Sequence, residues 1–435
     1  MTRALLPLAT ACSLLLTAAE PVLAQAGTVE ISPELEAKVI AWRRDIHEHP
    51  ELSNRETRTA GVVAEHLRAL GIDTRTGVAH TGVVGVLRGG LPGPTVALRA
   101  DMDALPVTER ADVPFASEVT TEYLGKQVGV MHACGHDTHV AMLMGAAERL
   151  AAMREELPGT VVFIFQPAEE GAPPGERGGA RMMVEEGVLR DPAVDAAFGV
   201  HINSQTPTGV IKYRPEGTMA ASDRFEIEVF GKQAHGSRPW AGIDPVTAAA
   251  YIVTALQTTV SRNAELTRAA AVVTVGKIEA GVRSNIIPES ALMIGTIRTL
   301  DTAMQRRIHA DVTRVATDVA EAMGATADVR IERGYPVTYN DPALTEAMLP
   351  TLRRVAGDEQ VVLVDAVTGA EDFSFYAQEV PGLFVFVGGM DPATEPEEAP
   401  GHHTPDFLID ERGLALGVET YVNLAVDYLR EGATD

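Results

Sequence analysis

The feature that most restricts this chain is a change in its hydrophobic period near His201. Up to that point short apolar runs (VVGVLRGG, TVALRADMDALP, TVVFIFQPAEEG, VDAAFGVHI) alternate with helical stretches such as 140–155 and 179–186. Two further helices, separated by the turn HPELS, are expected between Ser32 and Arg68. Such alternation packs as an α/β sheet with helices on its faces. Beyond His201, RFEIEVFG alternates like a half-buried strand, DPVTAAAYIVTALQTTVSR is helical, and AAVVTVGKIEAG and ALMIGTIRTL are strands. AMQRRIHADVTRVATDVAEAMG is again helical and ADVRIERGYPV is a last strand, a βαββαβ order of the split βαβ kind. After Pro336 the first pattern returns, with a helix at 343–355, the strand VVLV, a helix at 371–378, the strand GLFVFVGG and a final helix from Glu411. The expected fold is α/β: a mixed-sheet domain with helices on both faces (residues 30–215 and 336–435), interrupted by a ferredoxin-like (βαββαβ) unit (residues 216–335).

The 435 residues, 46% hydrophobic and 22% charged, suffice for more than one domain with an ample core. A net charge of −24 argues against neutralising phosphates, and 5% aromatics against stacking platforms, so no nucleic-acid partner is expected. At the amino terminus Arg3 precedes an apolar run, 4–19, broken by Pro7 and followed by VLAQAG. That is the layout of a secretory signal, residues 1–24, and the run is shorter than the roughly 20 residues of a membrane span. An exported protein, periplasmic or secreted, with no stable membrane anchor after cleavage, is expected. Of the two cysteines, Cys12 leaves with the signal and Cys134 stays single. In an oxidising compartment an unpaired cysteine is a buried thiol, a nucleophile or a metal ligand.

Its neighbours separate these readings. In MHACGHDTH, Cys134, His136, Asp137 and His139 fall within six positions, and thiolate and imidazole two residues apart can converge on one ion such as zinc, nickel or cobalt. A lone histidine is most often a satisfied core residue; four potential ligands together are not. QPAEEG places Glu169 and Glu170 at the end of the strand TVVFIF, where the alternative is a solvated acidic pair like Glu185 and Glu186. Adjacent residues point to different sides, which suits one metal ligand and one general base. His201, the pair His402 and His403, and Asp101 with Asp103 also sit at strand ends, where open α/β sheets build their sites. This donor set is large enough for two metal ions.

The motifs RRDIHEHPELS, RADMDALP, HACGHDTH, QPAEEG, GVH, GKQAHGSRP, SNIIP, GTIRT, GAEDFSFY and HHTPDF together resemble the dinuclear-metal amidohydrolases of peptidase clan MH. The similar branch contains hippurate hydrolase, bacterial N-acyl-amino-acid amidohydrolases and plant indoleacetyl-amino-acid hydrolases. The resemblance runs from about Ser32 to Leu429. It implies two divalent ions per chain (zinc, manganese, nickel or cobalt) held by Cys134, His136, Glu170, His201 and His403. His403 is preferred to His402 because the family pattern His-x-Pro-x-Phe falls on His403, Pro405 and Phe407. Glu169 matches the general base and Asp103 the supporting aspartate, whereas Asp101 stands where other branches carry a histidine ligand that the thiolate here replaces. By the same resemblance the unit at 216–335 is a lid and homodimerisation domain. His235 matches a lid histidine that polarises the scissile carbonyl, often across the dimer, and Asn285 and Arg298 match positions that contact the substrate carboxylate.

The implied reaction is metal-assisted hydrolysis of the amide of an N-acyl amino acid, with water attacking the carbonyl while Glu169 takes its proton. A periplasmic dipeptidase or carboxypeptidase differs only on the acyl side. A non-catalytic solute-binding protein and a cysteine hydrolase using Cys134 are the readings from other classes.

Overall fold

The computed structural model describes residues 27–433, so the expected signal at 1–24, with Cys12, lies outside the described residues. An eight-stranded mixed sheet forms the larger unit, in the order Asp73–Val78, Gly82–Arg88, Pro158–Gln166, Leu91–Asp101, Ala196–Pro207, Gly382–Met390, Ile211–Tyr213, Val361–Leu363. Its middle is parallel: Leu91–Asp101 pairs with Pro158–Gln166 on one side and Ala196–Pro207 on the other, and the latter pairs with Gly382–Met390. Strands buried on both faces read as continuous apolar runs, which is why TVALRA and TVVFIF lack alternation. Leu98, Phe163 and Val385 pack under the helices Pro33–Glu48, His136–Ala152 and Leu414–Gly432 on one face, while Ala97, Ile164 and Phe384 pack with Gly179–Glu185 and Ser374–Ala377 on the other.

Successive strands leave Leu91–Asp101 in opposite directions, so the crevice at the carboxyl ends of the parallel strands is the place for a site. There the sheet sets three side chains in one row. His201 is the register partner of Phe386, and Phe386 that of Lys212.

Residues 221–335 contain a second, antiparallel sheet, ordered Ala271–Ala280, Ser290–Thr299, Ala221–Phe230, Thr326–Tyr335. The helices Pro245–Ser261 and Thr302–Ala322 cover one face, burying Phe225, Ile227, Met293 and Ile297. The alternate residues, among them Arg298, stand on the helix-free face.

Two sequence expectations need correction. The helix expected at 371–378 is only Ser374–Ala377. Glu371 and Asp372 are drawn instead to the buried Arg99, each 2.9 Å from its Nη2, and the Glu371 carboxylate takes the Phe373 N–H. Nor do Glu169 and Glu170 alternate as strand residues, because the strand ends at Gln166 and both lie on a turn facing one cavity.

Candidate metal centre

The turn carrying the two glutamates is held from several sides. Ala168 is left-handed (φ 53°), and its N–H donates to the fully buried Glu56 at 2.9 Å. Asp103 accepts the Glu169 N–H through Oδ1 and the Glu170 N–H through Oδ2, both at 3.0 Å, while the Ser53 hydroxyl donates to Oδ2 at 2.7 Å. Tyr335, from the second sheet, donates its hydroxyl to the Glu169 carbonyl at 2.5 Å. Strained backbone persists where its surroundings over-determine it, and this turn is such a place.

Opposite lies the start of the helix His136–Ala152. Gly135 precedes it at φ 92°, and a Cβ there would come within 2.4 Å of Ile202 Cγ2, so only glycine lets Cys134 and His136 approach together. The Nδ1 of His136 bonds the Asp103 carbonyl at 2.7 Å, leaving its buried Nε2 without a hydrogen-bond partner, 3.8 Å from Glu169 Oε2 and 4.0 Å from Glu170 Oε1. Cys134 Sγ stands 3.6 Å from His201 Nε2 and 3.3 Å from His403 Nε2. Glu170 Oε1 is 2.9 Å from His403 Nε2 yet has no hydrogen bond.

The separations of 3.3, 3.6 and 3.8 Å are those of ligand atoms around a common ion, which for bonds of 2.0–2.3 Å lie roughly 3.3–3.8 Å apart; Glu170 lies a little closer to His403 and a little farther from His136. Five groups among the described residues have the spacing to hold an ion: Cys134 with His136 and His201, Cys134 with Glu170 and His403, His136 with Glu169 and Glu170, and two that include Asp101, with His136 and His139 or with Glu169 and Glu371. The first two share the thiol and use all five ligands expected from the sequence. Electrostatics point the same way. Burial, then Glu170 and Glu169, pushes the Cys134 thiol well up, so a thiolate needs a cation beside it. That also disfavours a free cysteine nucleophile. Burial holds His201 neutral, as a ligand must be. Burial, then Glu371 and Glu170, drives Glu169 well above the carboxylate range.

His139, one of the four residues in the opening cluster, is not free to ligate. Its Nδ1 bonds Asp101 Oδ1 at 2.6 Å and its Nε2 accepts the Ile202 N–H at 2.8 Å. Asp101 itself is occupied by His139 and, at 2.7 Å, by Arg99. Asp137 faces away, paired with Arg43 and His47 at 2.8 and 2.9 Å. His402 accepts the Ser204 N–H at 3.2 Å and reaches the Cys134 carbonyl at 3.2 Å, which ties its loop down beside His403.

Cys134, Glu169, Glu170, His201 and His403 line a cavity of about 700 Å³. Arg298 lines it from the second sheet, and its guanidinium makes no hydrogen bond or ion pair among the described residues. His235 and Asn285 do not line it. His235 lies on the short strand Ala234–His235, and Asn285 sits in the turn just before its partner Ile286–Ile287, its carbonyl accepting the Gly236 N–H at 2.8 Å; both are exposed. Tyr335, Lys212 and Glu371 are among the cavity residues that carry no site signal in the sequence. Tyr335 and Lys212 lie in short polar contexts without a motif, and Glu371, in the quoted GAEDFSFY, reads there as a helical residue.

Residues 97–427 match the model of peptidase family M20/M25/M40. The chain is 42% identical over 401 residues to thermostable carboxypeptidase 2 of Saccharolobus solfataricus, covering 91% of this chain and 96% of that protein. It is 38% identical over 390 residues to N-acetylcysteine deacetylase of Bacillus subtilis, covering 89% and 96%. Among solved structures it is similar to the Bacillus subtilis YXEP protein, described as a dinuclear metal binding peptidase from the M20 family, with a TM-score of 0.77 and 35% identity over 92% of this chain and 99% of that one. A donor set sized for two divalent ions, the fold around it and these likenesses agree: the chain belongs to peptidase family M20/M25/M40 and is a metal-dependent hydrolase.

Proposed function

We propose that the protein hydrolyses the amide bond of N-acyl amino acids, releasing a carboxylate and the free amino acid. The observation that carries this reading is the unpaired guanidinium of Arg298 in the same cavity as Glu169 and the ligand cluster. A substrate with an amide next to a carboxylate meets both. The similarity to a protein named for N-acetylcysteine deacetylation supports the same class.

Two divalent ions (zinc, manganese, nickel or cobalt) held by Cys134, His136, Glu170, His201 and His403 would supply Lewis-acid polarisation of the carbonyl and would acidify the attacking water. Glu169 is the base that takes the proton of that water and returns it to the leaving nitrogen. Its environment, buried among Glu371 and Glu170, makes its carboxylate a strong proton acceptor. Asp103 and Tyr335 hold its backbone in place. Arg298 takes the α-carboxylate of the substrate.

His235 and Asn285 are assigned to the site of a second copy. They stand outside their own cavity, and the residues near them leave apolar surface exposed, with Trp240 at 78% and Val282 at 96%. A homodimer through residues 216–335, acting as lid and interface, would bury that surface and bring His235 to the scissile carbonyl of its partner. Mixing a Glu169 variant with a His235 variant tests this, since trans contribution restores activity in mixed dimers and cis contribution does not. Export is proposed from segment 1–24 alone and is tested by amino-terminal sequencing of the mature protein.

The reaction class is tested with a panel of N-acetyl and N-benzoyl amino acids against dipeptides, each with zinc, manganese, cobalt and nickel and after chelation. Faster release from the N-acyl compounds is expected. Preference for dipeptides would favour the carboxypeptidase reading that one relative's name suggests.

A further inference from the structure

The cavity holds a second cation that the reaction as described does not use. Lys212 lies on the strand Ile211–Tyr213 and lines the same cavity as the ligand cluster. Its register places it with the metal centre. His201, Phe386 and Lys212 are direct partners across three adjacent strands, so their side chains leave the same face of the sheet. Strands lie about 4.8 Å apart, which puts the Lys212 backbone about 10 Å from that of His201. The Phe386 ring stands between them, its centroid 5.9 Å from that of His201. The cavity wall therefore reads ligand, aromatic platform, cation.

The ammonium has no partner of its own. No hydrogen bond and no carboxylate within ion-pair distance serves Lys212 among the described residues, although Asp365 also lines this part of the cavity and is exposed. Burial lowers its pKa and no neighbouring anion compensates. A half-buried cation without a counter-ion on a cavity wall is a group whose cost falls when an anionic ligand arrives. Arg298, on the second sheet, is equally unpaired and already suits one carboxylate.

We propose that Lys212 is a second anion-recognising group of this cavity, and that preferred substrates carry a second negative charge, either on the amino-acid side chain or at the far end of the acyl group. This rests on the amide-hydrolase reading above and deepens it from N-acyl amino acids to dianionic ones.

Two matched pairs separate the two sources of charge: N-acetylglutamate against N-acetylglutamine, and N-succinylalanine against N-butyrylalanine. In at least one pair the dianion is expected to have the higher kcat/KM by about tenfold or more, the scale of one charge-assisted hydrogen bond. That ratio falls towards one in Lys212→Met and is retained in Lys212→Arg. Because each variant is read as a ratio of two substrates, a partly folded preparation does not mimic the result. A ratio near one in the wild type for both pairs, or one unchanged by Lys212→Met, overturns the proposal. Calorimetric binding of glutarate against butyrate reads the same site without turnover. Glutarate binding that Lys212→Met abolishes, in a protein that cleaves none of the four substrates, would keep the anion site and overturn the amide-hydrolase reading instead.

Discussion

Asp103 accepts the backbone N–H of Glu169 at 3.0 Å, and its other oxygen takes the N–H of Glu170 at the same distance. One carboxylate thus orients the proposed base and a proposed ligand together, while the Asp103 carbonyl holds His136 Nδ1. Asp103→Ala leaves these buried donors without an acceptor, at about 1–3 kcal/mol for each unsatisfied group. A lower denaturation midpoint and a kcat reduced at least tenfold under saturating metal are expected. Wild-type values in both measurements would show that the turn holds itself.

Cys134 belongs to two of the five groups spaced to hold an ion, the two that between them use all five proposed ligands. Cys134→Ala is therefore expected to drop metal content from two ions per chain to one or fewer, measured by elemental analysis after dialysis. A variant retaining two ions would remove the thiol from the centre.

Arg298→Met is expected to raise KM for N-acyl amino acids about ten- to hundredfold, the loss of one charge-assisted contact. N-acyl amines without a carboxylate serve as the control, because the contact does not exist for them. Equal losses on both substrate types would place the role of Arg298 in the structure of the second sheet.

His47 lies buried between Asp137 at 2.9 Å and Glu109 at 3.0 Å, and although burial opposes protonation the two carboxylates outweigh it and raise its pKa. A folded-state pKa above the unfolded value near 6.5 means that the imidazolium stabilises the fold fully below about pH 6.5 and loses that contribution as pH rises through the folded value. Thermal melts of wild type and His47→Gln should differ most on the acid side and converge towards alkaline pH. A difference that grows with pH would reverse the assignment.

The fold class was legible because the inserted unit and the flanking segments differ in period, with continuous apolar runs for the parallel strands and alternation in RFEIEVF, which lies in Ala221–Phe230. The edge strand Asp73–Val78, reading DTRTGV, has no apolar face to announce it, and the hairpin Thr120–Gly129 is polar for the same reason. At the site, the placement of Asp101, Asp103, Glu169 and Glu170 at or just past the ends of apolar strands foreshadowed one crevice, although His201 lies within Ala196–Pro207 and not at its end. The tertiary competition for each side chain was not legible. His139 looks like a ligand until Asp101 and the Ile202 N–H are seen to occupy it, and Glu371 looks helical until Arg99 claims it. Lys212 carries no motif, and only strand register brings it beside His201 and Phe386.

Metal holding and proton transfer fall to different residues of this site, and Glu169→Gln measures both in one sample. Metal content of two ions per chain, with kcat on an N-acyl amino acid reduced about 10²- to 10⁴-fold, is predicted for loss of a general base. A variant that keeps both ions and turns over at the wild-type rate would contradict it.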